Sequence, residues 1–166
     1  DMPFIDTDAW IEEKEGVTIS EIFAAQGENS FRDMETECLK TLIEESDSET
    51  DSVKDNDEGI AEEVNGRKGS VISVGGGLPV RQENQKLLRQ LGQVFYLKAM
   101  PDTIFERIKG DTTRPLLQTE NPLQKIKEMM LFRETKYQAA AQKVIVVDEK
   151  SIDQIVDGII KLWQEN

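Results

Sequence analysis

Histidine is missing altogether from the 166 residues. That excludes Ser-His and Cys-His nucleophilic pairs and histidine metal sites, and leaves acid–base chemistry to carboxylates, lysines and tyrosines. Cysteine is nearly missing too. Cys38 stands alone, so no internal disulfide can form, and a reducing compartment fits. Basic residues are scarce, 20 Lys+Arg against 33 Asp+Glu, for a formal charge of −13. Nucleic acid and anionic membrane both require a basic face, so neither is expected as a partner. A phosphorylated ligand stays open, because a few placed arginines suffice to bind one. No apolar run approaches the roughly 18 residues of a membrane span, and no signal-peptide pattern is visible, so a cytoplasmic protein is expected. What is present, 37% hydrophobic residues in a chain of this length, suits one domain over 1–166 with a sizeable core.

The chain opens DMPFIDTDAWIEE. A short apolar run from Met2 to Ile5 leads into Asp6 and Asp8, and residues two apart on an extended chain point the same way. Open α/β sheets bind ligands beyond the carboxyl ends of their strands, so at such an end both acids could face one pocket. AWIEEKEG predicts a short helix stopped at Gly16, and Thr18 with Glu21 has the form of a capping box for the next. From Glu28 to Glu45, Phe31, Met34, Cys38, Leu39, Leu42 and Ile43 fall on one helical stripe. SVISV (70–74) reads as a buried strand running into Gly75, Gly76 and Gly77. Then come a helix over Gln82–Leu91, a strand in QVFYL (93–97), a helix opened by Pro101, a longer one from Pro122 and a strand in KVIVV (143–147). Ser151 with Gln154 caps a last helix, whose inner face is expected to hold Ile152, Ile155, Val156, Ile159, Ile160 and Trp163. Such alternation implies an α/β fold, a mostly parallel sheet covered by helices.

One segment stands apart. Ser46–Gly66 holds eight acids against one lysine, and its net −7 is more than half of the total charge. Its few apolar residues show no period, which predicts a solvated surface loop.

Several constellations could carry chemistry. Three glycines after a strand permit either a close backbone approach to a ligand or a plain tight turn. Arg32 and Glu35, three apart on a helix, are neighbours on one face, as a surface ion pair or as part of a site. GDTTRPLL (110–117) could be a mobile lid carrying Arg114 over an anionic substrate, or an ordinary loop. Arg107 and Arg133 are two more helical cations.

Together these pieces stop being independent. FIDTDAWIE, TISEIFAAQGENSFRDMETE, ISVGGGLPVRQEN, VFYL, RPLL and LFRETKY occur in the order and spacing of the shikimate kinases. The chain resembles that family over everything outside the acidic insert at 46–66, which is longer than usual there. The resemblance implies the P-loop kinase fold, with a five-stranded parallel sheet, a substrate domain and a lid over 109–120. It implies transfer of the ATP γ-phosphoryl group to the 3-hydroxyl of shikimate, in the pathway to aromatic amino acids, with Mg²⁺ as cofactor. It also places a first strand, a phosphate loop GxxxxGK[ST] and a helix ahead of FIDTD. No GxxxxGK[ST] occurs in the 166 residues. An N-terminally truncated piece is therefore expected, lacking the central strand between SVISV and QVFYL and inactive without the loop that cradles the phosphates.

The same resemblance implies roles for single residues. Asp6 would be the magnesium-side acid, since a hard cation prefers oxygen ligands. Asp8 would bind the ring hydroxyls of shikimate and take the proton of the attacking hydroxyl. Arg32 and Arg133 would grip the substrate carboxylate, with Glu35 holding Arg32 in place. Gly76 and Gly77 would meet substrate hydroxyls through their backbone, beside an apolar wall of Phe23 and Phe31. Arg114 would meet the phosphates of ATP, and Arg107 would stack on adenine, with VDEKS near Asp148 a loose match to the adenine loop. A monomer binding shikimate and ATP is expected. The alternatives are a gluconate-type kinase of the same fold and a shikimate-binding module without catalysis.

Overall fold

The computed structural model describes residues 2–51, 69–109 and 119–165; most of the acidic insert and of the lid, with Arg114, lies outside them. Two compact units divide the chain, 1–91 and 92–166.

The first unit runs β1 (Phe4–Asp6), α1 (Thr7–Glu15), α2 (Ile19–Asp51), β2 (Val71–Ser73), a 3₁₀ turn (Leu78–Val80) and α3 (Gln82–Leu91). β1 and β2 pair in parallel, Ile5 opposite Ile72 and Asp6 opposite Ser73. Parallel neighbours require a crossover, and α1 and α2 lie within it. Asp6 ends the strand and starts the helix: its Oδ1 accepts from the backbone N–H groups of Asp8 at 3.0 Å and Ala9 at 3.1 Å. Gly16 ends α1 at φ +70°, a left-handed conformation that glycine takes without a Cβ penalty. The Thr18–Glu21 capping box forms, with Thr18 N–H donating to Glu21 Oε2 at 2.8 Å and Glu21 N–H to Thr18 Oγ1 at 3.3 Å. Gly27, at φ 82° and ψ 173°, interrupts α2, so the stretch bearing Arg32 begins a fresh helical segment. The expected stripe then builds the core: Phe31, Cys38 and Leu42 pack with Ile11 and Ile22, and Met34, Ile5 and Ile72 pack against them.

One boundary differs from expectation. Helix α2 continues to Asp51, so the first residues of the acidic segment are helical rather than loop. A helix end facing solvent needs no apolar period, which is why none marked it.

The second unit runs β3 (Phe95–Lys98), α4 (Pro101–Ile108), α5 (Pro122–Ala140), β4 (Lys143–Val146) and α6 (Ile152–Gln164). β3 and β4 are again parallel, Leu97 opposite Ile145. Proline opens both α4 and α5, where its missing N–H leaves no hydrogen bond unmade. The Ser151–Gln154 capping box forms as expected. The core gathers Ala99, Ile145 and Val147, with Phe95, Ile104, Ile155, Ile159 and Leu162 packed against it.

The inner face of α6 needs correction. Ile155 and Ile159 face the core, joined by Leu162, whereas Ile152, Val156, Ile160 and Trp163 are exposed, Ile152 at 79%. At about 100° per residue these apolar positions span a wider arc than the roughly 100° stripe that one packing layer covers. Among the described residues, no helix is long and apolar enough to cross a membrane.

Candidate active site

The carboxyl ends of β1 and β2 bring Asp6–Asp8 beside Gly75–Gly77. A methyl group on Gly75 would lie 3.0 Å from Asp8 Oδ1, so a side chain there would crowd the carboxylate. Asp8 Oδ1 is buried, and among the described residues nothing hydrogen-bonds to it or to the buried Thr7 hydroxyl. Burial pushes the Asp8 carboxyl above its ordinary range, reinforced by the charges of Asp6 and Glu12 and opposed by Arg32. A carboxylate so placed is short of hydrogen-bond donors, which a ligand hydroxyl would supply.

Arg32 stands on α2 against the same turn. Its Nη1 donates to both oxygens of Glu35, at 2.8 and 2.9 Å, and its Nη2 donates to Glu28 Oε1 at 2.9 Å. Glu35 is only 1% exposed, so the pair is no solvated surface bridge. Burial pushes the Glu35 carboxyl up while the hydrogen bonds from Arg32 pull it back. Burial also works against the Arg32 charge, but Glu35 and Glu28 outweigh it and hold the guanidinium protonated. A methyl on Gly77 would come within 2.0 Å of Arg32 Nη1. The glycine is therefore what lets the guanidinium lie flat against the turn, at an ordinary φ of −87°.

Phe23 and Phe31 stack with ring centroids 5.0 Å apart, and Arg32 Cζ lies 5.5 Å from the centre of the Phe31 ring. Phe31 belongs to the core, at 4% exposure, and Phe23 is the half that faces outward, at 37%. Of the residues expected in the site, Asp6, Asp8, Phe23, Phe31, Arg32, Glu35, Gly76 and Gly77 all fall in this first unit.

Arg133 and Arg107 belong to the second unit, on α5 and α4. Arg107 Nη2 donates to the Val147 carbonyl at 3.1 Å, which ties it to the start of VDEKS. Asp148 Oδ1 in that segment accepts from the Met100 N–H at 2.8 Å and from Thr103 Oγ1 at 2.6 Å. The Thr103 hydroxyl and then the Met100 amide hold the Asp148 carboxyl below its usual range. This segment is thus fastened to the start of α4. Arg114 lies outside the described residues.

Two residues of the first unit, Thr36 and Asn84, lie inside the segments TISEIFAAQGENSFRDMETE and ISVGGGLPVRQEN, where the sequence suggests no role for either, and the fold joins them. Asn84 is wholly buried, its Nδ2 donating to the Leu78 carbonyl at 3.0 Å and its Oδ1 accepting from Thr36 Oγ1 at 2.8 Å. The available signal is weak: asparagine is a poor helix former, so its place inside a helix hints at a partner for its carboxamide without naming one.

The shikimate kinase family model matches residues 1–53 and 48–164, two stretches that meet in the acidic segment. The shikimate kinase of Thermodesulfovibrio yellowstonii is 36% identical over 163 residues, 97% of this chain and 80% of that protein. That of Ralstonia nicotianae is 34% identical over 160 residues, 96% of this chain and 73% of the relative. Among solved structures, shikimate kinase from Acinetobacter baumannii in complex with shikimate superposes with a TM-score of 0.80 at 31% identity, covering 99% of this chain and 80% of that one. The fold is that of a P-loop kinase of the shikimate kinase type. The chain belongs to the shikimate kinase family.

Proposed function

We propose that this protein acts in ATP-dependent phosphorylation of shikimate at its 3-hydroxyl, and that both units belong to one kinase domain, as the similarity running through both of them supports. The observation that carries the reading is Arg32, clamped by a buried Glu35 and laid against Gly77 beside Asp8. A planar guanidinium with both flanking carboxylates fixed is shaped to hold a ligand carboxylate, and an unsatisfied Asp8 is shaped to take hydroxyl protons. Gluconate also carries a carboxylate and hydroxyls, so it is membership of the shikimate kinase family, beside Arg32, that favours shikimate.

In this proposal Arg32 and Arg133 hold the substrate carboxylate, Asp8 orients the ring hydroxyls and accepts the 3-hydroxyl proton, and the backbone at Gly76 and Gly77 meets the remaining hydroxyls. Phe23 and Phe31 wall the ring, Arg107 stacks on adenine and Arg114 meets the phosphates. Asp6 fits Mg²⁺, which takes only one or two protein carboxylates and completes its shell with water and phosphate oxygens. Bound there, the ion would neutralise charge on the phosphates. The phosphate loop that the family resemblance calls for is not among the 166 residues, so turnover belongs to polypeptide that carries one. Shikimate affinity needs no such loop.

Calorimetric titration with shikimate and with gluconate tests the reading. Shikimate is expected to bind and gluconate not to, and Arg32→Lys, which keeps the charge but loses the two-pronged contact, should weaken shikimate by about tenfold or more. Equal affinity for the two ligands, or an unaffected Arg32→Lys, would sink it. Shikimate binding with no nucleotide binding, in polypeptide that carries a phosphate loop, would indicate a binding module instead.

A further inference from the structure

We infer that Asn84 is a positioning residue: it holds the helix that carries Arg32 against the glycine turn, two elements that the proposed function brings to the substrate. This inference rests on the shikimate-binding reading above. Asn84 lies in the first turn of α3, where its carboxamide reaches two elements at once. Nδ2 donates to the carbonyl of Leu78, the residue after Gly77, at 3.0 Å. Oδ1 faces Thr36 Oγ1 at 2.8 Å, one helical turn beyond Arg32 and next to Glu35.

The polarity of the bridge follows from its partners. Reversing the carboxamide would set its oxygen against the Leu78 carbonyl oxygen, acceptor against acceptor. Nδ2 must therefore face Leu78, and Oδ1 takes the single Thr36 proton. The Thr36 hydroxyl also lies 3.0 Å from the Arg32 carbonyl, and it stands directly over the turn that carries the arginine. Asn84 is 0% exposed and Thr36 5%, so neither can replace a lost partner with water.

Other links join the same elements but are weaker. Arg81 pairs with Asp33 at 2.6 Å and Lys40 with Glu83 at 3.2 Å, in each case with a largely exposed carboxylate. Exposed pairs contribute little, so among the polar links between these elements the buried carboxamide is the strongest. Gln85 Nε2 adds a bond to the Pro79 carbonyl at 2.9 Å, holding the turn from the same helix.

The test reads shikimate affinity by calorimetry on the intact protein, with melting temperatures measured beside it. Thr36→Val and Asn84→Leu each remove the bridge while nearly keeping volume, and each should weaken shikimate about tenfold. Thr36→Ser keeps the hydroxyl and should retain the parent affinity. In the Asn84→Leu background, Arg32→Lys should lose much less than it loses alone, because the arginine is already misplaced. A purely structural role would give additive losses and would not separate Thr36→Val from Thr36→Ser. Either result overturns the inference while leaving the shikimate reading intact. Absence of shikimate binding by the parent protein overturns both. Should Asn84→Leu fail to fold, the Thr36 pair decides alone.

Discussion

Gly77 lies in a backbone conformation that any residue adopts, so its lack of a side chain must serve a neighbour. That neighbour is the Arg32 guanidinium, which a methyl group would meet at 2.0 Å. Because Arg32 is held by Glu35 and Glu28, it cannot swing aside without breaking those bonds. Gly77→Ala should therefore lower shikimate affinity about tenfold and lower the melting temperature as well, because the buried Glu35 would lose its partner, as titration and calorimetric melting together would reveal. Asp8 makes the opposite case. Its folded carboxyl titrates above the ordinary value of 3.8, chiefly through burial, so the folded state resists its ionisation more than the unfolded chain does. That cost is absent below the unfolded value, grows as pH rises through the folded one and is complete at neutral pH. Asp8→Asn is expected to raise the melting temperature at pH 7, to give no gain near about pH 3, and, in polypeptide that carries a phosphate loop, to abolish shikimate phosphorylation. Melting curves at the two pH values check the sign.

At the scale of elements, helix boundaries are set by contacts within a few residues. Gly16, the Thr18–Glu21 box and the Ser151–Gln154 box all stand where the chain pattern places them. Ser151 accepts from the Gln154 N–H at 3.2 Å and the Gln154 side chain accepts from Ser151 N–H at 2.9 Å. Ser151→Ala should cost about 1 kcal/mol, a fall of roughly 2–4 °C in melting temperature for a chain of this size. The apolar arc of α6 behaves differently. Its width is visible in the chain, but which part is covered depends on the β3–β4 pair it packs on, and Ile152, Val156, Ile160 and Trp163 stay outside. Likewise, the Arg32–Glu35 spacing reads as an exposed or a buried ion pair, and packing of Glu35 within the first unit decides for the buried one.

For the whole molecule, two electrostatic effects compete. A formal charge of −13 repels itself and weakens the compact state. Against it stand ion pairs such as Arg81–Asp33, Lys40–Glu83 and Lys109–Glu106, exposed pairs each worth at most about 1 kcal/mol. Repulsion should win, so adding salt to about 0.5 M at neutral pH is expected to raise the melting temperature, since screening weakens it most. A fall with salt would mean the ion pairs matter more. Acid works the other way for the hydrogen-bonded carboxylates. Glu134, held low by Lys98, and Asp148, held low by Thr103, titrate below their ordinary values. The stability they contribute is fully present above the ordinary carboxylate values and is lost as pH falls below them, through the lowered folded values.

Helix starts and stops, the alternation of strands with helices, the stripe from Phe31 to Leu42 and the family motifs were all legible along the chain. Each is written in residues a few positions apart, where propensity, capping and periodicity act. The burial of Glu35, the uncovered side of α6 and the Asn84 bridge were not. Thr36 and Asn84 are 48 positions apart, and nothing local distinguishes a buried carboxamide from a solvated one until packing closes over it. Long-range packing decides which polar groups lose their water, and so which ones must find a partner or wait for a ligand.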